Sequence, residues 1–230
     1  MANRIKISII GMGYVGLPLS LSFGNKFNTV GYDINKIRIN NLNLGIDENG
    51  EFTKKKITSS KFLKFSSKID DIKDSNFYII CVPTPIYENK IPNLEYLVKS
   101  SKMISKILKK NDIVVYESTV YPGTTEEICV TQLSKFTKLK YNKDFFVGYS
   151  PERINPGDKV HTIEKITKIT SASNKNALKK INYIYKKIIK AGVFPVENIK
   201  IAEAAKVIEN SQRDINVAFV NELYKIFNIL

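Results

Sequence analysis

Residues 11–16, with the sequence GMGYVG, constrain the fold of this chain more than any other segment. They follow a short apolar run and precede a stretch of helical pattern, which is the context of a strand-turn-helix unit. In the G-x-G-x-x-G spacing, the first glycine permits a tight turn, the second lets the backbone approach a pyrophosphate, and the third allows close helix–strand packing. Asp33 ends the next apolar run, where a carboxylate can accept hydrogen bonds from ribose hydroxyls. The segment predicts a dinucleotide site; a tight turn without a ligand is the alternative.

Apolar runs and helical stretches alternate along the first 198 residues, as they do in a parallel sheet covered by helices on both faces. The polar, lysine-rich residues 45–61 predict a loop with one helical turn at most. The predicted fold class is therefore α/β, a Rossmann-like doubly wound parallel sheet, over residues 1–198. The predicted strands are 6–10, 29–32, 77–82, 113–117, 145–149, 168–171 and 193–196, and the predicted helices are 17–26, 36–44, 94–109, 124–135 and 177–189.

The pattern changes at residue 199, because neither glycine nor proline nor a strand signal follows it up to Leu230. Residues 199–230 predict one helix of about 30 residues, about 45 Å long. Such a helix does not fit within one doubly wound domain, and it ends without a cap. We expect residues 199–230 to begin a second, helical domain, inside which the sequence is cut short. One apolar stripe of this helix comprises Ala205, Ile208, Ile215, Phe219, Leu223, Ile226 and Leu230.

Polar residues follow the predicted strands at the edge where open α/β sheets bind their ligands. Thr84, Thr119 and Glu152 lie just beyond three strand ends and are expected to converge on the glycine-rich segment, although ordinary turn chemistry explains each of them alone. Lys206 and Asn210 are four residues apart on the last helix and share a face. A lysine beside the cleft can stabilise an oxyanion or relay a proton, and an exposed polar stripe is the alternative.

Composition excludes several functional classes. Most of the net charge of +14 comes from scattered lysines, which indicate a solvated surface, and no nucleic-acid recognition motif accompanies them. One histidine and two cysteines supply neither a His-rich metal site nor a disulfide framework. Cys81, in an apolar run, and Cys129, in a helical stretch, are predicted to be buried and not nucleophilic. No apolar run reaches the about 18 residues of a membrane span and no signal-peptide pattern occurs, so we expect a soluble, cytoplasmic protein without metal.

Five segments occur in a characteristic order: 11–18 (GMGYVGLP), 81–85 (CVPTP), 116–125 (YESTVYPGTT), 149–158 (YSPERINPGD) and 201–223 (IAEAAKVIENSQRDINVAFVNEL). Together they resemble the UDP-glucose/GDP-mannose dehydrogenase family, the nucleotide-sugar 6-dehydrogenases. The last two segments are similar to the branch that acts on UDP-N-acetylhexosamines, such as UDP-N-acetylglucosamine or UDP-N-acetylgalactosamine. The UDP-glucose branch carries a Phe-Leu pair where this chain has Arg153-Ile154, and one of its acidic cofactor contacts falls on Pro156, to which we assign no role.

The resemblance implies an NAD-dependent enzyme that oxidises a sugar C6 alcohol to the uronic acid in two hydride transfers, through a thioester on one cysteine, and supplies precursors of surface polysaccharides. Of the implied catalytic residues, Thr119 and Glu152 would handle water and protons, whereas Lys206 and Asn210 would stabilise an oxyanion at C6. Arg38 could stack on adenine or be solvated. The implied NAD contacts are Gly11, Gly13, Tyr14, Val15, Asp33, Arg38, Thr84, Ser118 and Thr119, and the implied substrate contacts are Glu152, Arg153, Ile154, Asn155, Lys206 and Asn210.

The family's nucleophilic cysteine lies in a Gly-Gly-His-Cys motif beyond the long helix and precedes a second nucleotide-type domain, and neither occurs in these 230 residues. What is present resembles the NAD domain and the start of the central helix through which a full-length homodimer is expected. We expect this chain to bind NAD without forming the acid. The alternatives are an NAD-binding module without turnover, a UDP-glucose or UDP-ManNAc 6-dehydrogenase, and a β-hydroxyacid dehydrogenase; segments 116–125 and 149–158 count against the last.

Overall fold

One sheet of eight strands forms the centre of the molecule in the computed structural model, which describes residues 5–153, 157 and 162–230. The strands are β1 (Lys6–Ile10), β2 (Asn28–Tyr32), β3 (Leu63–Ser66), β4 (Phe77–Ile80), β5 (Ile113–Tyr116), β6 (Phe146–Tyr149), β7 (Lys168–Ala172) and β8 (Val193–Pro195). Their order across the sheet is β3-β2-β1-β4-β5-β6-β7-β8. The order reverses between β1 and β4, and ligands of open α/β sheets bind at such a switch point.

Helices connect these strands. They are α1 (Gly16–Gly24), α2 (Lys36–Asn43), α3 (Lys54–Thr58), α4 (Glu95–Ser105), α5 (Val130–Lys135), α6 (Lys175–Tyr185) and α7 (Ile199–Phe227), with 3₁₀ turns at Ile69–Asp71 and Ile163–Lys165 and a π-helical segment, Thr124–Cys129, before α5. Asn35, Asn174 and Asn198 cap α2, α6 and α7, since the side-chain oxygen of each accepts a backbone N–H of the first turn. These caps fix where the helices begin.

Each face of the sheet carries its own apolar core. On β4, Phe77 and Ile79 pack in the core under α1 and α6, whereas Tyr78 and Ile80 pack in the core under α4 and the start of α7. All four side chains are buried, as expected for a parallel strand covered on both faces. The sheet therefore lies inside the domain, and the loops at the carboxyl ends of its strands are left to form a site.

The structure confirms the predicted fold class and differs from the predicted elements in three details. β7 runs antiparallel to β6, because the described part of the connection between them contains a 3₁₀ turn and no crossover helix. β3 was not predicted, because this short edge strand buries only one of its four side chains fully and gives no apolar run. The predicted helix 124–135 begins as the π-helical segment, after Gly123 with φ of 98°. α3 is the single helical turn expected within residues 45–61.

Helix α7 begins where the sequence pattern changes and runs for 29 residues. Only Ile199, Ala202 and Glu203 of this helix are buried, so its first turns pack on the rest of the chain, and most of the side chains beyond Glu209 are exposed. The apolar stripe is exposed over most of its length: Ile208 is 66% and Phe219 is 62% exposed. Across the described part of the chain, none of the helices combines the length and the apolar character that crossing a membrane requires.

Candidate functional site

A cleft of about 770 Å³ opens at the carboxyl ends of β1, β2, β4 and β5, within the size range of ligand and cofactor pockets. All nine predicted cofactor contacts line it, together with Glu152. α4 contributes Tyr96, Lys99 and Met103 to the lining, and no sequence motif marked these residues. A second cavity, of about 640 Å³, lies at the opposite edge near Ile5 and contains no predicted site residue.

The glycine-rich loop has the geometry that its spacing predicts. Gly11 has φ of 99°, and a Cβ there would lie 2.9 Å from the carbonyl oxygen of Cys81. A Cβ on Gly16 would lie 1.8 Å from the carbonyl oxygen of Gly11, so the third glycine lets α1 pack against the loop. A Cβ on Gly13 would meet nothing within 4 Å. The first and third glycines are therefore required by the protein itself, and the second leaves an open space in the cleft.

Helix α1 starts at this loop with its positive end toward the cleft. Its N-cap residue is Val15, which makes no side-chain cap, and its first turn contains no acidic residue. Backbone N–H groups and the helix dipole favour an anion at such an end, and no carboxylate of the first turn competes for it. The residues present thus fit the pyrophosphate of a dinucleotide.

Asp33 is fixed beside the loop by two backbone hydrogen bonds. The amide of Met12 donates to its Oδ2 at 2.7 Å, and the amide of Asn35 donates to its Oδ1 at 2.9 Å. The side chain is half-buried and lines the cleft. A carboxylate held in this way has lone pairs left for the two hydroxyls of a ribose, and it repels a phosphate at that position.

Arg38 is buried, so the interpretation that it is merely solvated is wrong. Its side chain is only 8% exposed, its Nε donates to the carbonyl oxygen of Met12 at 3.0 Å, and its Nη2 lies 2.7 Å from Oδ1 of the buried Asp47. Arg38 thereby connects the glycine-rich loop to the segment after α2. Its surface toward the cleft remains a predicted adenine contact.

The loops after β4 and β5 are tied together by hydroxyl groups. Oγ of Ser118 donates to the carbonyl oxygen of Val82 at 2.5 Å, and Oγ1 of Thr84 donates to the carbonyl oxygen of Thr119 at 2.7 Å. Both hydroxyls are therefore occupied in holding the loops. The side chain of Thr119 is exposed in the cleft, where it is free to meet a ligand.

A buried charged network lies behind Glu152. Nζ of Lys168 lies 2.7 Å from Oε2 of Glu152 and 2.5 Å from Oε2 of Glu117, and the hydroxyl of Tyr185 donates to Oε1 of Glu117. Burial raises the pKa of Glu117 to about 7, against the opposing charge of Lys168 and with a further rise from Glu152. For Glu152 burial alone would also raise the pKa, but Lys168, the backbone N–H of Arg153 and a hydrogen bond with Glu117 together outweigh it, and the pKa lies below its ordinary value.

Glu117 and Lys168 belong to no predicted site. The sequence signal for each was a charged residue next to an apolar strand: Glu117 directly follows the buried β5, and Lys168 is the first residue of β7. A charge at the margin of such a strand is common, and their pairing depends on the adjacency of β5, β6 and β7. Burial lowers the pKa of Lys168, but the two carboxylates outweigh this and raise it.

Helix α7 is anchored to the loop after β5 by one carboxylate. Glu203 is fully buried, and its two oxygens accept the backbone N–H groups of Gly123 at 2.6 Å and of Thr125 at 2.9 Å. Lys206 follows one turn later and is half-buried. Burial lowers its pKa, while the charges of Glu209 and Glu152 oppose that shift. Lys206 is therefore within electrostatic range of Glu152.

The remaining predicted substrate contacts lie outside the cleft or outside the described residues. Asn210 is exposed on α7, one turn beyond Lys206. Nε of Arg153 lies 3.0 Å from Oε2 of Glu209, and this ion pair connects the loop after β6 to the same helix. Ile154 and Asn155 are not among the described residues. The structure thus brings Thr119 and Glu152 to the cleft, places Lys206 within electrostatic range of Glu152 but outside the cleft lining, and leaves Asn210 in solvent.

Both thiols are buried, as predicted. Burial raises the pKa of Cys81 well above its ordinary value, and the charge of Glu117 raises it further. Burial likewise raises the pKa of Cys129 to about 12. A thiol with a raised pKa is a poor nucleophile, since the thiolate is the reactive form.

The fold and the site define a Rossmann-type dinucleotide-binding domain with polar residues gathered at the switch point of its sheet. Residues 5–189 match the model of the UDP-glucose/GDP-mannose dehydrogenase family, NAD binding domain. The chain belongs to this family and contains its NAD-binding domain.

Several relatives are similar over nearly the whole chain. UDP-N-acetyl-D-glucosamine 6-dehydrogenase of Salmonella typhi is 54% identical over 99% of this chain and 54% of its own length, and that of Pseudomonas aeruginosa is 52% identical over 97% and 53%. The solved structure of UDP-D-ManNAc dehydrogenase from Pyrococcus horikoshii superimposes with a TM-score of 0.88 at 32% identity, over 95% of this chain and 53% of that one. The chain spans about half the length of the relatives it matches.

Proposed function

We propose that this chain is the NAD-binding half of an NAD-dependent dehydrogenase that oxidises the C6 alcohol of a UDP-N-acetylhexosamine to the uronic acid. The observation that carries the proposal is a cleft that fits a dinucleotide and is lined by Thr119 and Glu152, with Lys206 within electrostatic range of Glu152. UDP-N-acetylglucosamine is favoured as the substrate, because two relatives bearing that name are 54% and 52% identical, against 32% for a UDP-ManNAc enzyme.

The residues of this chain would have the following roles in the reaction. NAD, when bound, accepts hydride from C6. The ionised Glu152 would accept a proton, directly or through a water positioned by Thr119, as the alcohol is oxidised. The ammonium of Lys206 would stabilise negative charge that develops on the oxygen at C6, and Asn210 would join it once substrate brings the two together. Arg153 would bind the nucleotide sugar near the entrance of the cleft.

Residues 199–230 are proposed to begin a helical domain through which two copies of the enzyme associate. The exposed apolar stripe of α7 supports this proposal, since apolar side chains in such a row gain free energy when another surface covers them. Residues 1–198 would then form the NAD-binding domain.

An NAD-binding module without turnover is the second candidate, and the two buried thiols favour it for this chain on its own. The test is to incubate the 230-residue chain, and separately the gene product that contains it, with NAD⁺ and each of UDP-N-acetylglucosamine, UDP-N-acetylgalactosamine and UDP-ManNAc. We expect NADH and a new carboxylate, detected by mass spectrometry, from the longer protein only. Acid formation by the 230 residues alone would contradict the assignment of Cys81 and Cys129 as inert.

The cofactor preference tests Asp33. We expect the chain to bind NAD⁺ about 10–100-fold more tightly than NADP⁺, because the fixed carboxylate repels a 2′-phosphate by about 1–3 kcal/mol in a partly desolvated cleft. Titration calorimetry with both cofactors measures the ratio. Asp33→Asn, which removes the charge and keeps an acceptor oxygen, should reduce the ratio toward one. Equal affinities in the unsubstituted chain would show that Asp33 does not contact the ribose.

A further inference from the structure

The ammonium of Lys168 is held at three points inside the protein. It contacts Oε2 of Glu117 at 2.5 Å, Oε2 of Glu152 at 2.7 Å and the carbonyl oxygen of Pro151 at 3.3 Å. An ammonium has three N–H donors, so these oxygens account for all of them. The Lys168 side chain is 5% exposed and does not line the cleft. Lys168 therefore does not reach a ligand in the cleft itself, and any effect it has on chemistry must pass through the two carboxylates it holds, of which Glu152 is the more exposed.

The two carboxylates on this ammonium differ in a way that a purely structural ion pair does not require. Glu117 is enclosed between the ammonium and the hydroxyl of Tyr185, and its pKa is raised by burial. Both carboxylates border the cleft, but the Glu117 side chain is fully buried and that of Glu152 is 9% exposed. The pKa of Glu152 is lowered, because Lys168, the backbone N–H of Arg153 and a hydrogen bond with Glu117 together outweigh the effect of burial. Neighbouring groups whose pKa values are pushed apart are characteristic of acid–base sites. The fully buried carboxylate therefore has the raised pKa, and the more exposed one has the lowered pKa.

We propose that Lys168 is a positioning residue for Glu152, which holds the Glu152 carboxylate ionised and in place at the cleft while Glu117 fixes the ammonium from behind. The role of Glu152 in proton handling rests on the proposed function, but the arrangement itself can be measured without turnover. The contacts with the two carboxylates explain how a lysine can be the first residue of a buried strand, a position where the cost of desolvating its charge would otherwise exclude it.

Several other groups act on the same carboxylate. Lys206, on α7, is a second cation within electrostatic range of Glu152, and the backbone N–H of Arg153 donates to Oε1 of Glu152 at 2.6 Å. Tyr185 on α6 and Cys81 after β4 lie on the Glu117 side of the network, and both have raised pKa values through burial. A variant of Lys168 therefore has to be compared with one of Lys206, so that the contributions of the two cations are separated.

The experiment is a pH titration of the ¹³C-labelled glutamate carboxyls of the 230-residue chain by NMR, with the Glu152 signal assigned from Glu152→Gln. In the unsubstituted chain we expect Glu152 to titrate below the ordinary value of about 4.3. In Lys168→Met, no ammonium in contact with Glu152 opposes the effect of burial on its carboxyl group, and the pKa of Glu152 should rise by about two units or more. Lys168→Arg keeps the charge and should restore most of the low value, and Lys206→Met should cause a smaller rise.

Two measures keep the test decisive if Lys168→Met does not fold. The double variant Glu117→Gln, Lys168→Met removes the ammonium without leaving two buried carboxylates, and the titration of the unsubstituted chain needs no variant. Lys73→Met is the matched control, because Lys73 forms an exposed ion pair with Asp70 and should leave Glu152 unchanged. A Glu152 that titrates at or above the ordinary value in the unsubstituted chain, or at the same pH in the folded double variant, overturns the proposal.

In the longer enzyme, the acid limb of the kcat profile should move up by about one pH unit or more in Lys168→Met, because activity is lost as the pH falls through the pKa of Glu152. The KM for NAD⁺ should stay the same. A fall of kcat by one factor at every pH would indicate a structural role only and overturn the proposal. If no sugar is oxidised at all, the proposed function fails, and the carboxyl titration still decides the role of Lys168.

Discussion

Replacing Lys206 by alanine in the proposed dehydrogenase should lower kcat by about 100-fold or more and change the KM for the nucleotide sugar far less. The ammonium acts mainly where negative charge develops on the oxygen at C6, so its loss removes about 3 kcal/mol of stabilisation from the transition state and little from the ground state. The half-buried position of Lys206 near Glu152 supports this expectation. Steady-state NADH formation at saturating NAD⁺ measures both constants.

Lys200→Ala is the matched control for that experiment. Lys200 lies on the same helix, two turns earlier, and its exposed side chain pairs with Glu127 on the surface. Exposed ion pairs contribute about 1 kcal/mol at most, so kcat should stay within about twofold. A rise in KM without a fall in kcat for Lys206→Ala would mean that Lys206 binds the substrate and does not stabilise the oxyanion.

Replacing Gly16 by alanine should abolish detectable NAD⁺ binding and lower the free energy of unfolding by about 1–3 kcal/mol or more. The new Cβ would lie 1.8 Å from the carbonyl oxygen of Gly11. Because the clashing oxygen belongs to the backbone, no side-chain rotation can relieve the clash. The glycine-rich loop must therefore move, and the start of α1 moves with it. Denaturant unfolding measures the stability, and titration calorimetry measures the binding.

Gly13→Ala separates the effect on the ligand from the effect on the fold. No atom lies within 4 Å of a Cβ at this position, so we expect the free energy of unfolding to change by less than about 0.5 kcal/mol. The methyl group would nevertheless fill the space through which a pyrophosphate approaches the backbone, and NAD⁺ affinity should fall by about 10–100-fold. Unchanged affinity would mean that the pyrophosphate does not reach the loop at Gly13.

The sequence predicts the parts of the fold that local pattern determines. β1, β4, β5 and β6 are nearly continuous apolar runs, so their positions follow from the need to bury them on both faces. The glycine spacing likewise determines the loop, because steric contacts at Gly11 and Gly16 depend on residues close in the chain or on the neighbouring strand. The cleft residues follow from one further rule, that the carboxyl ends of parallel strands meet at one edge.

What the sequence does not predict depends on which strands become neighbours. Lys168 and Glu117 are 51 residues apart, and nothing in their spacing shows that β7 turns back beside β6 and brings them together. Glu203 meets Gly123 across 80 residues for the same reason. From the sequence alone, Lys168, Glu117 and Glu203 could each be ordinary surface charges, since a charged side chain is buried only when the tertiary structure supplies its partners.

Because α7 is attached through Glu203, near its beginning, residues along the helix would move by very different amounts if it tilted. Lys206 is three residues from Glu203, about 4.5 Å along the axis, whereas Phe227 is 24 residues away, about 36 Å. If the helix tilts about this pivot as a rigid rod, a swing of about 8 Å at its far end displaces Lys206 by about 1 Å. The far end of α7 can therefore shift to meet whatever surface covers its apolar stripe, while Lys206 moves little relative to Glu152.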